Sequence, residues 1–101
     1  MPEFTAETLR VFADPLRLRI IRLLASEQLC TCHLVEETGA RQPTVSHHLK
    51  VLREAGMVDT EPHGSFTYYR LRPDAIAAVA SAFGDLATGA ANALARRRPC
   101  A

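Results

Sequence analysis

A short interruption between two helical segments constrains the fold of this chain more than any other feature. Residues 32–38 are predicted to form a helix, and Gly39 follows them as glycine often follows the last turn of a helix. After a turn of three residues, a second helix is predicted over residues 43–55, with Pro43 in its first turn and Gly56 after its end. Two helices joined by such a short, glycine-containing turn form a helix-turn-helix motif.

The rest of the chain predicts a mainly helical fold with one β-hairpin. Asp14 and Pro15 suit the start of a helix, as a cap and as a first-turn residue, and Gly64 suits the tip of the hairpin. The remaining elements are predicted helices over residues 5–13, 14–26 and 73–95, a short extended piece at 29–31, and strands at 58–61 and 67–71. The expected order is therefore α-α-(β)-α-α-β-β-α.

Length and charge place few limits on function. The chain has 101 residues, which suits one domain over residues 1–101, with residues 96–101 as a flexible tail. A net charge of +1 neither indicates nor excludes nucleic acid, but residues 41–53 contain basic and no acidic side chains. No signal-peptide core and no apolar run near the roughly 18 residues of a membrane span is visible, so a cytoplasmic protein is expected.

The second helix of the motif divides into an apolar stripe and a polar face. Val45, Leu49 and Leu52 recur at helical spacing and are expected to face the core, with His48 beside them as a hydrogen-bonded structural residue. The polar face suits contacts with base edges and phosphates, and it comprises Gln42, Pro43, Thr44, Ser46, His47 and Lys50. The alternative for this helix alone is an ordinary solvated surface, but the preceding turn and the following hairpin favour DNA.

The predicted hairpin offers a second set of DNA contacts. His63, Gly64 and Arg70 could reach phosphates or a minor groove if the hairpin forms a wing beside the helix-turn-helix. The alternative is a hairpin that only closes the core through Tyr68 or Tyr69. Both can hold, because alternate residues of a strand face opposite sides.

Two cysteines one residue apart, Cys30 and Cys32, precede the DNA-binding segment. In an extended piece their side chains would point the same way, and Cys32 would lie near a helix N-terminus that favours the thiolate. Thiolates select soft ions. Cys100 is the remaining cysteine, and His33 could join the pair for zinc or cadmium. The alternative is that Cys30 and Cys32 are small buried apolar residues.

The last predicted helix is rich in alanine, and small residues allow two helices to approach closely. Its larger anchors are Ile76, Val79, Phe83, Leu86 and Leu94. We expect this helix to form a dimer seam, and the alternative is a surface helix packed on its own domain.

Several segments together resemble the ArsR/SmtB family of metal-sensing winged-helix repressors. RQPTVSHHLKVLREAGMV followed by GSFTYYRL is similar to the DNA-binding segment of that family, DPLRLRIIRLL to its second helix, and LCTCHL to its metalloid-sensing type. The resemblance covers residues 9–71. It implies a winged helix-turn-helix, and a homodimer built from the first and last helices. It further implies an operator with two-fold symmetry, and release of DNA when an inducer binds.

The resemblance also implies the inducer. Arsenic-sensing members carry Cys-x-Cys-x-x-Cys, of which this chain has Cys30 and Cys32 but Val35 at the third position. As(III) or Sb(III) is the implied inducer, with Cys100 of the same or the partner subunit as the candidate third ligand and no other cofactor required. The zinc site that some members build on the last helix is not carried over, because residues 73–95 contain no histidine.

Two kinds of alternative remain at the sequence level. The thiols could sense cadmium, lead, zinc or oxidation instead of a metalloid. An enzyme with a Cys32–His33 nucleophile pair is disfavoured, because no third orienting residue and no phosphate-binding glycine loop accompanies it.

Overall fold

The computed structural model describes residues 4–100, which form a mainly helical fold with a small antiparallel sheet. In chain order the elements are α1 (Ala6–Phe12), α2 (Pro15–Leu24), β1 (Leu29–Cys30), α3 (Thr31–Thr38), α4 (Gln42–Glu54), β2 (Val58–His63), β3 (Phe66–Leu71) and α5 (Pro73–Ala93). This order and the β-hairpin wing, formed by β2 and β3, confirm the predicted fold class.

Local sequence signals set the ends of helices in and before the helix-turn-helix motif. The Asp14 carboxylate caps α2 by accepting a 3.0 Å hydrogen bond from the Arg17 backbone amide, and Pro15 begins that helix. Gly39 ends α3 with φ of 72°, a left-handed conformation that costs glycine little. Because Gly39 can turn the chain so sharply, α4 starts three residues later.

The wing is longer and tighter than the sequence suggested. The strands were expected to leave a five-residue loop over residues 62–66, but they are joined by a two-residue turn, in which Gly64 has φ of 62°. Pro62 lies within β2, opposite Thr67, and is tolerated there because the strand order β1-β3-β2 makes β2 an edge strand.

The core joins α3 and α4 to the rest of the domain. The predicted stripe of α4 is confirmed, since Val45, Leu49 and Leu52 are at most 1% exposed. Leu34 of α3 and Ile20 of α2 are completely buried in the same cluster. Full burial of a side chain of this size stabilises by about 1.5–3 kcal/mol, so α3 and α4 are expected to move together rather than independently.

Helix α5 projects from this core. Ala75 near its start is buried, whereas Phe83 and Leu86 further along are 49% and 60% exposed. The radius of gyration is 17.5 Å, compared with about 13 Å for a compact domain of this length. Within residues 4–100, α5 therefore packs against the core only through its first turns. Within residues 4–100, no helix combines the length and apolar character that crossing a membrane requires.

Candidate DNA interface and thiol site

The polar face of α4 is fully available to a ligand. We call this set the recognition face, and each of its members is exposed: Gln42, Pro43, Thr44, Ser46, His47 and Lys50. The buried stripe on the opposite side fixes the rotation of α4 about its own axis. Lys50 is paired with Glu54 only at 3.9 Å, and both side chains are more than two thirds exposed, so its charge remains accessible.

Arg41 adds a cation that the sequence prediction left out of the site. It is exposed and occupies the N-cap of α4, without a side-chain bond to the first-turn amides. A cation and free amides at a helix N-terminus both favour a phosphate. In the sequence, the signal that could have identified Arg41 was the absence of acidic residues from the basic segment 41–53.

A buried histidine fixes α4 against the junction between α1 and α2. The Arg17 guanidinium donates to His48 Nδ1 at 2.9 Å and to the Val11 carbonyl at 2.7 Å. His48 Nδ1 is therefore an acceptor, and the ring proton lies on Nε2, 3.8 Å from an Asp14 carboxylate oxygen. Burial lowers the pKa of His48, although the Asp14 charge acts in the opposite direction. His48 thus has the structural contacts expected of it.

The wing presents one end to solvent and closes the sheet with the other. His63 and Gly64 are exposed, whereas Tyr68 and Tyr69 are half-buried. Arg70 donates to Asp59 at 2.7 Å and to Glu61 at 2.9 Å, and the hydrogen bond to Asp59 raises its pKa. A phosphate would have to compete with both carboxylates for this guanidinium.

The two cysteines of the thiol site, Cys30 and Cys32, lie on different elements. The extended piece was expected to run to Thr31 and the helix to begin at Cys32, but α3 begins at Thr31, so Cys30 ends β1 as the N-cap of α3 and Cys32 is the second helical residue. Their Cα atoms are 5.4 Å apart and their sulfurs are joined as a disulfide, so of the three expected thiols only Cys100 is free. Cys30 is buried and Cys32 is exposed, which leaves the pair reachable from one side.

His33 brings an imidazole to the same point. Its Nδ1 accepts a hydrogen bond from the Cys30 backbone amide at 3.1 Å and lies 3.2 Å from the Cys30 sulfur. One imidazole nitrogen of His33 and the two sulfurs all lie within 4.8 Å of one another. Among residues 4–100, Cys100 does not join this cluster, and Val35 packs against the apolar core.

An open cavity connects the thiol site with both predicted DNA-binding elements. It has a volume of about 360 Å³, and its lining includes both cysteines, Gln42 at the start of α4, and Phe66 and Thr67 of the wing. The thiol site and the first residue of the recognition face, Gln42, therefore line the same cavity.

Comparisons with known proteins agree with this geometry. Residues 14–60 match the model for bacterial regulatory proteins of the arsR family. An uncharacterized HTH-type transcriptional regulator of Methanocaldococcus jannaschii is 39% identical over 75 residues, which cover 73% of this chain and 84% of that protein. The arsenical resistance operon repressor of Staphylococcus xylosus is 43% identical over 63 residues, which cover 62% of this chain and 61% of the repressor. This chain thus spans about three fifths of the length of that repressor.

A solved structure extends the likeness to the whole fold. The crystal structure of a possible transcriptional regulator for arsenical resistance superposes with a TM-score of 0.72 at 35% identity, covering 81% of this chain and 85% of the other. The winged helix-turn-helix fold, the exposed polar face of α4 and the matched family model all support the same family assignment. The chain belongs to the arsR family of bacterial regulatory proteins, and it is a DNA-binding transcriptional repressor rather than an enzyme.

Proposed function

We propose that this chain is a cytoplasmic, homodimeric repressor of an arsenic-resistance operon that leaves its operator when As(III) or Sb(III) binds the thiolates of Cys30 and Cys32. One observation carries the proposal. The thiol site is the N-terminal end of α3, and α3 packs through the buried Leu34 onto the helix that bears the recognition face. The names of the arsenical-resistance relatives support the choice of ligand.

The recognition face is the proposed contact with the major groove. The N-terminal residues of α4 would enter the groove first, as they do in other helix-turn-helix proteins. Thr44, Ser46 and His47 would meet base edges, while Lys50 and Gln42 would meet phosphates or an adenine edge. His63 and Gly64 at the tip of the wing would follow the adjacent backbone, with Arg70 joining them only if phosphate displaces its carboxylate partners.

A second copy of this chain is the proposed partner of α5. Phe83 and Leu86 remain exposed on a helix that leaves its own domain, and the Phe83 ring meets Phe4 edge-on at 5.3 Å. The N-terminal segment and α5 therefore share one apolar surface. Two-fold pairing through this surface would present two copies of α4 to a symmetric operator, and residues 1–101 would act as one domain within the dimer.

The proposed switch acts by a difference in affinity between two shapes of the dimer. The ligand requires the cysteines to be reduced, and binding would hold both thiolates on one ion and reshape the first turn of α3. Because α3 and α4 share a core, both recognition faces of the dimer would shift and lose the spacing of the half-sites. The ligand must favour this low-affinity shape, since equal binding to both shapes would release nothing.

A gel shift on a palindromic duplex from the promoter of the protein's own operon tests the proposal. As(III) should release the reduced wild type and leave the Cys30→Ser/Cys32→Ser variant bound. The single variant Cys100→Ser tests Cys100 separately, because altered As(III) binding in this variant would identify Cys100 as the third ligand. Equal release of the wild type and the double variant would refute the thiol switch.

Another thiophilic signal is the second candidate. Oxidation to the disulfide between Cys30 and Cys32 is one such input, and the neighbouring imidazole favours zinc or cadmium among the metals. Titrating the reduced protein with Cd(II), Pb(II) and Zn(II) while following thiolate absorption separates the metals. Operator binding by peroxide-treated protein, before and after reduction, tests oxidation.

A further inference from the structure

One large exposed apolar side chain takes no part in the proposed function. Within residues 4–100, six large apolar side chains are exposed, and five of them belong to α1, to α5 or to residues near the ends of these helices: Phe4, Leu9, Phe83, Leu86 and Leu94. The sixth is Phe66, which is 58% exposed at the tip of the wing. Pairing of two copies through α1 and α5 would leave this ring in solvent.

We infer that the Phe66 ring is an apolar wedge, which enters the minor groove beside each half-site of the operator and partly unstacks one base step. The inference rests on the proposed position of the wing along the DNA. Other proteins that bind the minor groove insert phenylalanine between base pairs in this manner. Pyrimidine–purine steps such as TA are easily unstacked, so the wedge would select such a step without a hydrogen bond to any base.

The backbone of the wing holds Phe66 in place, while its ring has few contacts to lose. Phe66 pairs with His63 at the last step of the β2–β3 ladder, directly after the two-residue turn. In the described part of the chain, the ring makes no aromatic contact and is not among the apolar side chains packed against the core. A ring on an ordered strand gives up little conformational freedom when it binds, so most of the free energy of its burial remains for affinity.

Phe66 lies close to the start of the recognition helix. Phe66 and Gln42, the first residue of α4, both line the open cavity of about 360 Å³. The N-terminal end of a recognition helix is the part that meets base edges in the major groove. A duplex bound there would pass the tip of the wing with its neighbouring minor groove, which is where a wedge has to act.

The charge of the wing favours an apolar contact with DNA over a phosphate contact. Residues 58–69 contain Asp59 and Glu61 but no lysine or arginine. Arg70, the next cation, donates to these two carboxylates at 2.7 and 2.9 Å. Because no unpaired lysine or arginine is present over residues 58–71, the wing has no permanent charge with which to displace counterions from DNA. The exposed ring of Phe66 is the contact that remains.

Fluorescence and affinity measured on the same duplex test the wedge. The reduced full-length protein is titrated into the palindromic promoter duplex, in which single adenines flanking the half-sites are replaced in turn by 2-aminopurine. The fluorescence of this base rises when it is unstacked. Phe66→Ala removes the ring, and Phe66→Tyr is the matched variant that keeps it. The urea midpoints of both variants should equal that of the wild type, because Phe66 lies outside the core.

We expect the wild type to raise the fluorescence at one position in each flank, and Phe66→Ala to raise it at none. Phe66→Ala should weaken operator binding at least about tenfold, the factor expected for losing the burial of an aromatic ring, while Phe66→Tyr stays within about threefold. The slope of log K against log salt should be the same in all three proteins, because an apolar contact releases no counterions. Replacing the responding step by one that is not pyrimidine–purine should weaken the wild type and not Phe66→Ala.

Tight operator binding by the wild type without a fluorescence change at any position would overturn the inference and leave the proposed repressor intact. Equal operator affinity of Phe66→Ala and the wild type would have the same meaning. A loss of operator affinity in Phe66→Ala that came with an equal loss of stability would assign Phe66 a structural role instead of a wedge. A wild type that bound no palindromic duplex would overturn the proposed function together with the inference.

Discussion

Replacing Arg17 by methionine tests whether this side chain joins three helices. Its guanidinium donates to the carbonyls of Val11 and Arg10 at the end of α1, at 2.7 and 3.2 Å, and to His48 of α4 at 2.9 Å. Methionine keeps the length and much of the apolar packing of the arginine stem, so the substitution removes mainly these hydrogen bonds.

The expected loss follows from the burial of the partners. A hydrogen bond to a charged group contributes about 1.5–3 kcal/mol when the partners are desolvated, and His48 is only 8% exposed. The bond to the Arg10 carbonyl is exposed and contributes little. We therefore expect Arg17→Met to lower the free energy of unfolding by about 2–4 kcal/mol. Each kcal/mol lowers Tm by about 4–8 °C in a domain of this size, so Tm should fall by at least about 8 °C.

Urea unfolding followed by circular dichroism measures this difference at fixed protein concentration. Arg22→Met is the matched control, because Arg22 lies on the same helix and is exposed, and its side chain makes no hydrogen bond or ion pair within residues 4–100. If both variants lose the same stability, the contacts of Arg17 contribute nothing beyond its helical position and the reasoning is wrong.

Three further results follow from single positions. Because burial lowers the pKa of His48 below its ordinary value of 6.5, protonation of His48 favours the unfolded chain. The stability that neutral His48 contributes is complete above pH 6.5 and is lost as the pH falls below that value. A urea midpoint that increased as the pH was lowered from about 8 to about 5 would contradict this prediction. Gly39→Ala should cost about 1–2 kcal/mol in the same assay, because φ is 72° there, while Gly84→Ala within α5 should cost nothing. Lys50→Ala should reduce the slope of log K against log salt for operator binding by about 1 and leave stability unchanged, and an unaltered slope would remove Lys50 from the phosphate contacts.

Periodic features were predictable from the sequence alone. Val45, Leu49 and Leu52 repeat at the helical period and are buried as predicted, and Gly39 ends α3 as predicted. Local propensity excluded Pro62 from a strand, but Pro62 pairs with β3 as part of β2. The position is tolerated because β2 is an edge strand, in which the amide that proline lacks is not required for pairing.

Features that depend on tertiary contacts or on an unusual capping residue were harder to predict from the sequence. Arg17 and His48 are 31 positions apart, and no local spacing indicates that they meet. Histidine is an uncommon member of a capping box, so the start of α3 was placed one residue late and the capping contact of His33 was not predicted. The projection of α5 depends on where the core ends, which composition does not specify.

The central claim is that the thiol site and the recognition face are thermodynamically linked. Linkage is reciprocal, so the factor by which As(III) weakens operator binding must equal the factor by which operator DNA weakens As(III) binding. We would measure the As(III) affinity of the reduced protein, free and saturated with operator duplex. We predict weaker As(III) binding to the DNA complex, by about 5- to 150-fold, and loss of As(III) binding in Cys30→Ser/Cys32→Ser both with and without operator. Equal As(III) affinity of the free and DNA-bound wild type would contradict it.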